Sequence, residues 1–277
     1  MAASKASITS LFQSLDANDL GINKQASDIM IANLNAGTLP MCVGTPVENL
    51  VSDDVTIIQF FLDASPSMER VAPLLIETFN EIMIEGLRGA SKQTANAIVI
   101  GGIAFSTDIW PMFGGGFQDL SSINKMTKKD YDPSKGAATN LFGAMIQSIT
   151  AASAYATQVL QTNGTPPKAI VVGLTDGGDN CQRATRQDIK ALTQSLSGEL
   201  FKFPLAVFET YERVDGAQLA QDTGFEVFEF KKQGSETDAD IRKRFRHMIG
   251  TMSSSMISAS QAKIGTTSKS GFWTPGN

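Results

Sequence analysis

The chain has 277 residues and a mass of 29.6 kDa, with 42% apolar and 18% charged residues. That is enough for a full core in one large α/β domain with extensions, or in two small ones. A formal charge of -5 and a pI of about 5.0 speak against a nucleic-acid partner, since phosphate binding favours a basic balance. The apolar runs break well short of the ~20 residues that a bilayer-spanning helix needs, which speaks against a membrane role.

Residues 1–7 lack the apolar stretch and cleavage site of a secretory signal, so a cytoplasmic location with Cys42 and Cys181 as free thiols is expected. Residues 1–50 read as a helical extension and linker. Residues 7–15 place Ile8, Leu11, Phe12 and Leu15 on one face, and residues 26–34 form a second helix, ended by Gly37, Pro40, Gly44 and Pro46. Residues 16–21 begin like a calcium-binding EF-hand loop. Leu20 then stands where a ligand is needed, and Ser27 where the bidentate Glu belongs.

From Val55 the pattern alternates strand and helix. The run at 55–62 is almost continuously apolar and β-branched, as in a central parallel strand covered on both faces. Residues 69–87 have helical spacing. Residues 97–105 form a second strand, whose Gly101 and Gly102 predict close approach by a neighbour. A hairpin partner is expected over 107–111, then a long polar loop to Gly136 and an Ala-rich helix over 140–160. A third buried strand is expected at 168–175. Helices at 183–196 and 216–221, strands at 203–208 and 225–230, and a final helix over 238–257 complete the series. Residues 258–277 are rich in Ser, Thr, Gly and Lys and predict a disordered tail. This order predicts an α/β fold with a doubly wound, mostly parallel central sheet flanked by helices.

Open α/β sheets hold their ligands at the carboxyl ends of their strands. Three loops fall there. The first carries Asp63, Ser65 and Ser67, the second offers the Thr139 hydroxyl, and the third ends a strand with Asp176 and turns on Gly177. Two carboxylates and three hydroxyls suit a hard cation such as Mg²⁺, which takes oxygen ligands and keeps several waters. Soft metals would want Cys or His, and neither is placed here.

Asp-x-Ser-x-Ser, a threonine after a small-residue turn, and a strand ending Thr-Asp-Gly together resemble the von Willebrand factor A (VWA) domain family and its metal-ion-dependent adhesion site. The resemblance covers residues 51–257 and implies a Rossmann-like fold. It also implies Asp63, Ser65, Ser67, Thr139 and Asp176 as ligands of Mg²⁺, with Mn²⁺ or Ca²⁺ as alternatives. Pro66 replaces the commoner glycine between the serines, which stiffens the turn and removes no ligand. The implied function is a non-enzymatic adaptor that captures a partner's Asp or Glu through the metal. Relatives of this kind often work beside AAA+ ATPases of the MoxR type, or in stress- or phage-related assemblies.

Blander readings stand beside this one. Asp63 and Thr139 can be helix caps, and Asp179 reads as a turn cap with an extra-ligand role as its alternative. The cluster Arg242-Lys243-Arg244 with Arg246 reads as a solvated helix face. His247, the only histidine, has no partner for a catalytic pair. A Mg²⁺-dependent phosphatase or hydrolase is the enzymatic alternative, but Ser65 occupies the position where such phosphatases carry an acid–base Asp. A structural subunit docking through Ile8, Leu11, Phe12 and Leu15 is the third reading, with packing of that face back on its own domain as the alternative.

Overall fold

A computed structural model of the chain describes residues 4–93, 96–181, 183–196, 198–210, 214–232, 234–264 and 271–273. Its sheet is built on β1 (Val55–Asp63), every residue of which is buried. Side chains alternate across a strand, so Val55, Ile57 and Phe61 enter one core while Ile58, Phe60 and Leu62 enter the other. This two-sided burial is the reason the segment reads as a continuous apolar run.

β2 (Ala97–Phe105) and β5 (Lys168–Thr175) flank β1 in parallel. β3 (Ile109–Pro111) extends the sheet beside β2 as the antiparallel hairpin strand. On the other side, β7 (Pro204–Phe208) and β8 (Glu226–Phe230) follow β5 in parallel. The order along this path is β3-β2-β1-β5-β7-β8, with β4 (Gln118–Asp119) on β2 and β6 (Phe201–Lys202) on β5. The expected doubly wound, mostly parallel α/β fold is therefore what the chain adopts. Gly101 fits the predicted close approach, since a Cβ there would lie 2.5 Å from Gln59 Oε1 and 2.8 Å from Phe117 Cε1.

One face of the sheet is covered by α6 (Leu141–Asn163), which is buried along most of its length and therefore lacks an amphipathic stripe. The N-terminal helices α1 (Lys5–Phe12), α2 (Leu15–Asp19) and α3 (Lys24–Ala32) pack on it. Ile8 and Phe12 are buried in that core, while Leu15, in the next helix, is 83% exposed. The proposed docking face on a neighbour is thereby corrected: α6 already covers its buried half. Tyr155 Oη donates to Thr45 O at 2.7 Å and Gln158 Nε2 to Cys42 O at 2.8 Å, which fastens the linker to the same helix. α7 (Arg186–Ser195) and α8 (Gly216–Thr223) pack against one another.

The opposite face carries α4 (Ala72–Thr78), a π-helical turn over Phe79–Ile84, α5 (Glu85–Gln93) and α9 (Asp238–Gln261). The single helix expected over 69–87 is thus three pieces. Thr78 Oγ1 donates to Leu74 O at 2.7 Å, competing for a helical acceptor where the winding changes. The disordered tail expected from Ser258 is also corrected. α9 runs on to Gln261 because Met256 and Ser260 continue its buried stripe, and Lys168 Nζ donates to the carbonyls of Ser260 and Ala262. Phe272 is buried, and Trp273 Nε1 donates to Glu226 O at 2.7 Å. Residues 265–270 and 274–277 of that expected tail lie outside the described residues.

Candidate metal centre

β1 delivers Asp63 to the carboxyl edge of the sheet, where its side chain is fully buried. Ala64 N–H still donates to Phe105 O at 2.7 Å, and the chain then turns through a 3-10 segment over Pro66–Met68. Ser65 N–H donates to Asp63 Oδ1 at 2.8 Å, closing an Asx turn. The Ser65 and Ser67 hydroxyls lie 3.0 Å apart. Ser67 Oγ also donates to Asp176 Oδ1 at 2.9 Å, joining the first loop to the third.

The Thr139 loop reaches the same edge. Gly136 passes so close to Ser106 that a Cβ would lie 1.7 Å from Ser106 Oγ, and that hydroxyl donates to Ala138 O at 2.7 Å. Thr139 N–H donates to Asn180 Oδ1 at 2.6 Å, and Asn180 N–H returns to Thr139 O at 3.0 Å. Thr139 is buried, and its hydroxyl bonds to no other described residue. Asp63, Ser65, Ser67 and Asp176 thus form one hydrogen-bonded group. Thr139 stands on the adjoining loop, stitched to the Asp176 loop without a bond to any of the four.

The electrostatics are unusual. Burial, and then the charge of Asp176, push Asp63 up to about 6 from an ordinary 3.8, against hydrogen bonds from Thr175 and Ser65 that hold it down. Among the described residues no Lys or Arg pairs with Asp63. Two carboxylates, two adjacent hydroxyls and the unbonded Thr139 hydroxyl are an all-oxygen donor set, which fits a hard divalent cation. No group of three or more His, Cys, Asp or Glu gathers among the described residues.

The capping readings separate. The N-cap of α6 is Asn140, with no side-chain cap bond of its own. The helix start is instead held by Asp179, whose Oδ1 accepts from Phe142 N at 3.1 Å. Thr139 is therefore not the cap, and Asp179 caps a helix from across the loop rather than its own turn. In the basic cluster, Arg242 and Arg246 meet Glu77 on the surface, whereas Arg244 turns inward: it pairs with Glu236 and lies 3.9 Å over the Phe208 ring. That departs from a solvated face. Cys42 and Cys181 are both free thiols, as expected.

Sequence reasoning missed the residues that brace Asp63 and Asp176. Thr175 Oγ1 donates to Asp63 Oδ2 at 2.5 Å, Thr210 Oγ1 donates to Asp176 Oδ2, and Tyr131 Oη donates to the Asp63 carbonyl. Thr175 precedes Asp176 at the strand end, the one local signal available. Thr210 and Tyr131 arrive from distant segments and leave none.

No protein-family model matches the chain, and no curated protein matches it. It is similar to a number of solved structures, among them the following three. The PilB minor pilin of Streptococcus sanguinis is 14% identical with a TM-score of 0.47, over 73% of this chain and 62% of that one. A von Willebrand factor type A structure from Catenulispora acidiphila is 14% identical with a TM-score of 0.41, over 72% and 43%. The open conformation of the pilus adhesin SpaC from Lactobacillus rhamnosus GG is 11% identical with a TM-score of 0.49, over 74% and 30%. The chain spans less than two thirds of each of these structures. No helix among the described residues is long and apolar enough to cross a membrane.

Proposed function

We propose that this chain is a non-enzymatic binding module that captures a partner's Asp or Glu side chain through Mg²⁺ held by Asp63, Ser65, Ser67, Thr139 and Asp176. One observation carries the reading: a fully buried carboxylate, Asp63, feels a second carboxylate, Asp176, and among the described residues no cationic side chain pairs with it. Burying such a charge is costly unless a cation joins it. When bound, the ion supplies a hard electropositive centre with positions left for water or an incoming carboxylate. Asp63 and Asp176 would neutralise it, Ser65, Ser67 and Thr139 would add hydroxyl oxygens, and Thr175 and Thr210 would orient the carboxylates. Mn²⁺ or Ca²⁺ could take the same oxygen set.

Catalysis finds less support. Ser65 stands where an acid–base carboxylate would be needed, and His247 packs edge-on against Phe230 in α9. An AAA+ ATPase of the MoxR type is the partner class the family resemblance offers. Capture of partners from a cognate extract tests the reading. Recovery in Mg²⁺ should be lost in EDTA and with Asp63→Ala; equal recovery in all three conditions would remove it.

A further inference from the structure

A small cleft opens beside the proposed metal centre. Its lining includes Ser67 and Thr210, the two hydroxyls that donate to Asp176, so the two sites share Ser67. The floor is apolar, from Val71, Phe208 and Ile241. Its charged lining is the inward Arg244–Glu236 pair together with Arg70 and Lys232 nearer the surface. Glu236 is matched within the chain by a two-pronged bond from Arg244, at 2.8 and 2.7 Å, and Arg70 pairs with Asp238. Lys232 is exposed, and its ammonium has no partner among the described residues. The cleft volume is about 40 Å³, room for two or three waters and so for one carboxylate.

We propose that this cleft is a second carboxylate subsite: the partner presents two neighbouring acids, one to the metal and the other to the Lys232 ammonium. This rests on the metal-dependent capture proposed above. An anion in the cleft gains a charge-assisted bond in a site whose other charges are already paired. Selection for paired acids follows, because a single acid leaves Lys232 unmatched.

The test uses the full chain and acetylated, amidated glycine peptides with one aspartate, or with two that are adjacent or separated by one or two glycines. Affinities are read by chemical-shift titration in Mg²⁺ and in EDTA. At least one two-acid peptide should bind roughly tenfold more tightly than the one-acid peptide, as expected of one charged hydrogen bond. Lys232→Gln should abolish that advantage without changing one-acid binding, and Lys232→Arg should keep it. Equal affinities, an advantage that survives Lys232→Gln, or no binding of either peptide by a chain that Mg²⁺ still stabilises would each overturn the subsite. Peptide binding that EDTA leaves unchanged would instead remove the metal reading.

Discussion

The buried Asp63 makes a sharp prediction about stability without metal. Its carboxyl rises from 3.8 to about 6 in the folded chain, about two units, or about 3 kcal/mol at full ionisation. The folded state holds this proton more tightly than the unfolded state. The resulting stabilisation is complete below about pH 4 and is lost as pH rises through 6. Asp63→Asn isolates the effect. The amide keeps an acceptor for Ser65 N–H, and its own N–H can donate to Thr175 Oγ1, whose proton then turns to Gly177 O at 3.0 Å. In urea unfolding of metal-free protein, the stability of Asp63→Asn relative to the native chain should be less than about 1 kcal/mol at pH 4. It should grow to about 3 kcal/mol above pH 7. Saturating Mg²⁺ should then reverse the order at pH 7.5. A difference that stays flat with pH, or a metal-free variant less stable than the native chain at pH 7.5, would refute the reasoning.

Three other perturbations test separate parts of the structure. Gly136→Ala would drive a Cβ to 1.7 Å from Ser106 Oγ; thermal unfolding should show a loss of about 1–3 kcal/mol, with weaker Mg²⁺ binding as the Thr139 loop shifts. Asp179→Ala removes the acceptor at the start of α6. It should cost about 1 kcal/mol in denaturant unfolding yet reduce Mg²⁺ affinity far less than Asp176→Ala in calorimetric titration. Lys168→Met strips a donor from the carbonyls of Ser260 and Ala262; amide exchange should accelerate selectively over residues 256–262, with a stability loss of about 1–3 kcal/mol.

The elements most legible in the sequence are those whose burial leaves a local pattern. β1 is covered on both faces and reads as an unbroken apolar run, and α9 shows its core face through Phe245, Met248, Ile249 and Met252. The first loop was equally legible, because Asp63, Ser65 and Ser67 are spaced by the turn itself. What failed were features fixed by tertiary contact. The apolar face of α1 was visible but its cover was not, since α6 is buried nearly all round and points to no neighbour. The polar composition after Ser258 outweighed the visible Phe272–Trp273 pair, whose backbone and indole N–H groups donate to Glu226. Thr210 and Tyr131 reach the two carboxylate positions over 34 and 68 residues of sequence, and no motif encodes such reach.

The central claim is that Asp63, Ser65, Ser67, Thr139 and Asp176 hold one hard divalent ion, and Mn²⁺ as an anomalous scatterer tests it most directly. Crystals grown with Mn²⁺ should show a single strong anomalous peak at the carboxyl edge of β1, within coordination distance of the Ser65 and Ser67 hydroxyls and of at least one of the two carboxylates. A fully occupied peak elsewhere, or none at saturating Mn²⁺, would contradict the account.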